Sequence, residues 1–233
     1  MSLRITKGIP IEVRPPTAPS GPSTGMSGAS DEATPLADVP NQPSAVIEKV
    51  LPISPKLQNH GLWCWAACVE MVRDHYNIPL KQCEIVANAT GKNTVSVCND
   101  PNVAGVGCDT DEMDDIWTAN GLECEVHLEE PNESGSGQIK FEKLKVEIDA
   151  NQPVEAGLIW HASGGAGHAI IVKGFGEKDG KRSVWINDPL SPTLLGTLSV
   201  IGGEGEILLK ELREAFGRGR WVSTWTGLKV KEE

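Results

Sequence analysis

The sequence predicts an α+β domain in which a helical lobe packs on an antiparallel β lobe. Two observations predict it: helical periodicity dominates the first half of the folded region, and strand-like runs dominate the second. A third is that turn chemistry separates the elements cleanly. Residues 64–76 place Ala67, Cys68, Met71, Val72 and Tyr76 at a spacing of three to four, and Asn77-Ile78-Pro79 ends the run. Residues 80–89 read as a second helix stopped near Gly91. A third is expected over 110–120, with Asp109 or Thr110 as its cap, acids in its first turn and Gly121 after it. A fourth spans 141–150 before the turn Asn151-Gln152-Pro153. Strands follow at 154–160, 168–175, 183–187 and 221–230, with a hairpin-type connection over 176–181 and a helix expected over 207–216.

The chain of 233 residues, 39% hydrophobic, is long enough for one well-buried domain with an appendage. That appendage is the N-terminus. Residues 1–44 contain no aromatic side chain and hold eight of the sixteen prolines, so they are expected to form a disordered or linker segment. The folded domain is expected over 45–233. No apolar run reaches the length of a membrane span, and no signal-peptide pattern opens the chain. The compartment stays open on these grounds.

Net charge is −11, and its source is local. Between Asn93 and Gly137 stand eleven carboxylates and no Lys or Arg. Such a surface repels nucleic acid and anionic membrane and favours a basic protein, for instance an inhibitor or immunity protein. Asp109, Asp111, Asp114 and Asp115 are explained by helix-start chemistry rather than by calcium. The six cysteines include no Cys-x-x-Cys pair, so no metal site is expected. Cys98 and Cys108, flanking a Gly/Asn/Pro-rich loop, are the first candidates for a disulfide; fully reduced cysteines are the alternative.

The chemistry-bearing segment runs from Gln58 through Trp63, Cys64 and Trp65 to Cys68. A cysteine at a helix N-terminus faces unpaired N–H groups and the positive end of the dipole, which favour its thiolate. Taken alone, a buried small hydrophobe is the better reading of Cys64. The second half of the pattern shifts that balance. His168 opens a strand behind Gly164, Gly165 and Gly167, which leave its ring uncovered, and Asp188 ends the next strand. If those strands pair as a hairpin, Asp188 lies close to His168 and can orient its ring. Gln58, six residues before Cys64, can place an amide beside the Cys64 N–H as a second oxyanion donor.

Gln-x5-Cys-Trp, a Gly-His strand and an Asn/Asp-Pro strand end, in that order, resemble the papain-like cysteine peptidases. The Cys-Trp-Ala-Ala helix and the Asp-Pro ending look most like the branch with the C39-like peptidases and bacterial effector proteases. The resemblance covers about residues 58–190. It implies a papain-like fold with Cys64 as nucleophile, His168 as base and then acid, Asp188 as orienter and Gln58 in the oxyanion hole. Asn187 is the competing orienter; adjacent strand residues face opposite ways, so only one can serve. Trp63, Trp65, Gly165, Gly167 and Asn187 are expected around the cleft. The function so implied is a cysteine endopeptidase acting on protein or peptide, without metal or organic cofactor. A bacterial effector or toxin, secreted or injected by a non-classical route, is the biological setting it suggests. Cys-dependent deamidation or transpeptidation, and a catalytically inactive protein-binding module on the same fold, are the alternatives.

Overall fold

The computed structural model describes residues 47–100, 102, 107–108, 112–130, 133–161, 167–190 and 203–232. The expected 1–44 linker, and the cap at Asp109 or Thr110, lie outside these residues. In chain order the elements are β1 (Ile47–Val50), α1 (Cys64–His75), α2 (Gln82–Thr90), α3 (Thr94–Asn99), α4 (Met113–Ala119), β2 (Leu122–Leu128) and α5 (Phe141–Asp149). Then come β3 (Val154–Trp160), β4 (Gly167–Lys178), β5 (Lys181–Asp188), β6 (Gly203–Leu208), α6 (Leu209–Arg213) and β7 (Gly219–Val230).

The strands form one antiparallel sheet in the order β2-β7-β3-β4-β5-β6, with β1 added beside β4. Helix α1 lies against β4, and its face of Ala66, Ala67, Cys68, Val69, Met71 and Val72 is fully buried. The alanines are what permit that approach, because a larger side chain would hold the helix off the sheet. Helix α5 reaches the same sheet through Phe141, whose ring meets Phe175 of β4 edge-on at 6.0 Å. The β4–β5 turn is tight: Asp179 and Gly180 both take positive φ, 52° and 73°, as a two-residue hairpin requires. The strands therefore run to Lys178 and from Lys181, longer than the 176–181 connection expected from sequence.

Two expectations are corrected here. Residues 207–216 do not form one helix. Gly203–Leu208, which reads Gly-Glu-Gly-Glu-Ile-Leu, is extended and pairs with β5, and only Leu209–Arg213 turns helical. The disulfide joins Cys83 and Cys98, not Cys98 and Cys108, with Cα atoms 5.0 Å apart. Cys83 stands in the first turn of α2 and Cys98 near the end of α3, so packing of these helices brings the sulfurs together. Cys64, Cys68, Cys108 and Cys124 are not disulfide-bonded. The bond spans 15 residues of sequence. Replacing both partners by Ser is expected to cost about 3 kcal/mol of stability in a denaturant titration; a loss below about 0.5 kcal/mol would show that the helices hold each other without it.

The acidic region is less open than its charge suggests. Glu123 pairs with Lys229 at 3.2 Å, Glu125 with Lys143 at 3.4 Å and Glu129 with Arg220 at 2.9 Å. Basic residues from α5 and β7 thus answer part of a charge that looked unbalanced along the chain.

Candidate functional site

Cys64 is the first residue of α1 and is partly exposed. No side chain caps this helix; Trp63 occupies the cap position. The thiol itself accepts from the backbone N–H of Trp65, the place a capping oxygen would take, and from the N–H of Ala169 on β4. Its third partner is the His168 imidazole. Burial raises the Cys64 pKa, but the hydrogen bond and charge of His168, with the two N–H groups, outweigh it and bring it below the ordinary thiol value.

The β4–β5 register sets Ile171 opposite Asn187, so Asp188 stands two residues along from His168 and on its face of the sheet. His168 Nε2 lies 2.8 Å from Asp188 Oδ1. That contact leaves Nδ1 as the nitrogen for the thiol. Burial opposes charge on this ring, yet the charge and hydrogen bond of Asp188, helped by Cys64, raise its pKa to about 10. The Asp188 carboxylate also accepts from the Leu190 N–H at 2.8 Å. Trp160, at the end of β3, stacks on the imidazole with centroids 5.9 Å apart and 21° between planes.

One turn deeper, Cys68 shows the opposite tuning. Burial, then the charge of Glu155, push its pKa well above the thiol value, so it is an inert core residue. Burial raises both thiols; what separates them is that Cys64 alone has the imidazole and the two N–H groups that stabilise a thiolate.

The other sequence candidates fall in different places. Asn187 points away from His168 and donates through Nδ2 to the Ile53 carbonyl at 2.9 Å. Trp63 and Trp65 do not wall a cleft: both are core residues, 1% and 3% exposed. Gly167 opens β4 opposite Ile159, and Gly165 lies outside the described residues. Gln58 is held beside the end of β5 by its N–H, which donates to the Pro189 carbonyl at 2.9 Å. Its amide does not project free, because Nε2 donates to the His60 carbonyl at 2.9 Å.

Two supporting residues escaped sequence reasoning. Gln82, 1% exposed, donates to the Leu57 carbonyl and to Glu70 and accepts from the Asn59 N–H, fixing the loop that carries Gln58 from both sides. Lys173, at an irregularity in β4, donates to the Ile53 carbonyl at 3.0 Å and pairs with Glu204. Ile53 thereby receives both Lys173 and Asn187. A lysine inside an otherwise apolar strand was the available signal. Among the described residues, no group of three or more His, Cys, Asp or Glu is placed to hold a metal ion, and no helix is long and apolar enough to cross a membrane.

A family model described as Peptidase_C39 like family matches residues 50–200, a span that contains every site residue named above. The chain belongs to the Peptidase_C39 like family. Three solved structures are similar to this C39-like chain. A double glycine motif protease from an AMS/PCAT transporter, in complex with the leader peptide, shares 19% identity over 78% of this chain and 94% of that one, with a TM-score of 0.44. The peptidase domain of Streptococcus ComA, a bi-functional ABC transporter involved in a quorum sensing pathway, shares 13% over 77% and 99%, with a TM-score of 0.48. A structure addressing antibody cross-reactivity between the mite allergens Blo t 1 and Der p 1 shares 16% over 81% and 73%, with a TM-score of 0.43. No curated protein matches the chain. The α+β architecture expected from the sequence, helices on an antiparallel sheet, is the one the chain adopts.

The covalent state of the cysteines corrects three linked expectations. A cysteine endopeptidase, its hydrolase class and the label of a thiol protease with a catalytic triad all require a nucleophile that stays reduced. The Cys83–Cys98 disulfide belongs with oxidising surroundings. A thiolate is the form of sulfur most readily oxidised, so the surroundings that keep this bond work against a standing thiolate. Cys64 is outside the disulfide and remains a thiol. The endopeptidase reading falls, and the delivered effector or toxin that depended on it falls as well; the family and the fold stand.

Proposed function

We propose that this C39-like chain is a protein- or peptide-binding module, in which Cys64, His168 and Asp188 shape and charge a docking point rather than turn over a substrate. The Cys83–Cys98 disulfide is the observation that supports it, for the oxidising conditions just described. The same bond favours a chain that works in a secreted or otherwise oxidising space. A basic inhibitor or immunity protein remains the partner proposed for the carboxylates of 93–137. The test is labelling with a thiol-directed activity probe beside partner capture by wild type and Cys64→Ala. Absence of labelling, with capture weakened in Cys64→Ala, is expected; stoichiometric labelling of Cys64 by the probe, or capture that Cys64→Ala leaves untouched, would sink the module.

One specific observation favours a second reading. Cys64 is partly exposed, and His168 lowers its pKa. A Cys-His-Asp set of this kind can move an amide group without net proteolysis. The thiolate attacks a carboxamide carbon, ammonia or an amine leaves with a proton from His168, and water or a second amine resolves the thioester. Gln58 would serve the oxyanion only after releasing the His60 carbonyl. Mass spectrometry of candidate partners separates the readings: deamidation adds about 1 Da and transpeptidation creates a new amide bond, both absent with Cys64→Ala.

A further inference from the structure

A cavity of about 520 Å³ opens on the sheet face opposite the one that carries Asp188. Strand alternation places it there. Val184, Ile186 and Asp188 point inward, while Ser183 and Trp185 project to the other side. The row across the sheet at this level is Val50, Gly174, Trp185 and Glu206, and the next row is Glu48, Gly176, Ser183 and Leu208. Gly176 is what lets the indole lie down. A Cβ there would stand 2.9 and 3.1 Å from two ring carbons of Trp185, inside van der Waals contact. The indole therefore rests on bare backbone, half-buried, as the floor of the cavity.

Carboxylates flank that floor. Glu48 comes from β1 and Glu206 from β6, on opposite sides of the ring, and Asp179 stands at the hairpin tip. None of the three makes an ion pair among the described residues, whereas Glu177, also on the rim, is engaged by Arg182 at 3.3 Å. Lys178 and Lys181 border the cavity at the hairpin end. Lys181 is four residues from Trp185 on an extended strand, roughly 13 Å at 3.3 Å per residue. The Trp185 end thus combines an open aromatic face with two carboxylates that make no ion pair among the described residues, while Lys178 and Lys181 stand at the hairpin end of the same cavity.

We propose that this cavity binds an arginine side chain presented by a protein or peptide partner. A guanidinium is planar and weakly hydrated, so it stacks on an indole while its N–H forks reach carboxylates at the ring edges. The volume exceeds one side chain and leaves room for the adjoining backbone of the partner. This site is separate from Cys64, and it holds whichever reading of the Cys64 region is correct.

The probe is the blocked tripeptide Ala-Arg-Ala, titrated into the full chain while indole N–H signals are followed by nuclear magnetic resonance. Blocked Ala-citrulline-Ala, isosteric and uncharged, is the control. The expected result is a saturable shift of the Trp185 signal with the arginine peptide, at least tenfold weaker with citrulline. Glu48→Gln with Glu206→Gln, both at surface positions that leave the fold intact, should weaken the arginine peptide about tenfold. Equal affinity for both peptides, unchanged affinity in the double variant, or shifts confined to Trp160 and the Cys64 region would each overturn the proposal. Because the readout is Trp185, its failure leaves the test of Cys64 untouched.

Discussion

Between pH 6.5 and 10 the folded chain is expected to lose stability on the order of a few kcal/mol through one residue, His168. The ring binds its proton far more tightly in the folded state, where its pKa is about 10, than in the unfolded chain, where it is 6.5. Below 6.5 both states are protonated and the imidazolium–Asp188 pair contributes fully. As pH rises through 10 the folded state gives up its proton too, and the contribution is gone. Asp188→Asn keeps a side chain of the same shape and removes the charge, so burial should then win and the ring pKa should fall. Urea titrations across this range should show a steep pH dependence in wild type and a much flatter one in Asp188→Asn and His168→Gln. Parallel curves for the three proteins would mean that the pair is not an ion pair.

Glu155 carries the second large effect. It is the second residue of β3 and has no exposed surface; Trp117 Nε1 donates to one oxygen at 2.9 Å, and the other oxygen has no partner among the described residues. Burial drives its pKa well above the carboxylate range. The Trp117 hydrogen bond pulls it back only in part, and the charge of Cys64 adds to the rise. Here the sign works against the fold. Below 4.5 the carboxyl is neutral in both states; above it the unfolded chain ionises while the folded chain resists, so stability drains as pH rises. Glu155→Gln keeps an acceptor for Trp117 and cannot ionise. It should match wild type near pH 4 and exceed it increasingly as pH rises towards neutrality. A stability difference that stays constant with pH would show that the carboxyl is not the source.

Much of the site was legible because its members occupy element boundaries that sequence marks well. Asn77-Ile78-Pro79 ends α1, which counts Cys64 back to the helix start, and Pro189 ends β5 at Asp188. β4 and β5 meet in a two-residue hairpin, but the extra residue at Lys173 of β4 shifts the register by one, and that bulge, which spacing does not mark, sets Asp188 on the His168 face. Spacing could not place what tertiary contacts decide. Trp63 and Trp65 flank the thiol in sequence yet both turn into the core, since a helix start buries its neighbours in directions set by the sheet beneath. The disulfide partner of Cys98 was set by helix packing, which Cys spacing does not encode. Gln82 looked like any polar helix-start residue, and only the loop it grips gives it a role. Strand β2 was missed although Leu122, Cys124, Val126 and Leu128 alternate cleanly, because the intervening acids drew the reading towards charge. Strand β1 is four residues long and leaves no comparable trace.

The clamp on Ile53 also dictates when the site can exist during synthesis. Cys64 emerges from the ribosome roughly a hundred residues before the histidine that tunes it, and Ile53 waits longer still for Lys173 and Asn187. Until the β4–β5 hairpin is made, the α1 segment carries an ordinary, unactivated sulfur, while Cys83 and Cys98 already lie close along the chain. Chain order therefore separates the two kinds of cysteine in time: the Cys83–Cys98 pair can close first, and the contacts that lower the Cys64 pKa form last.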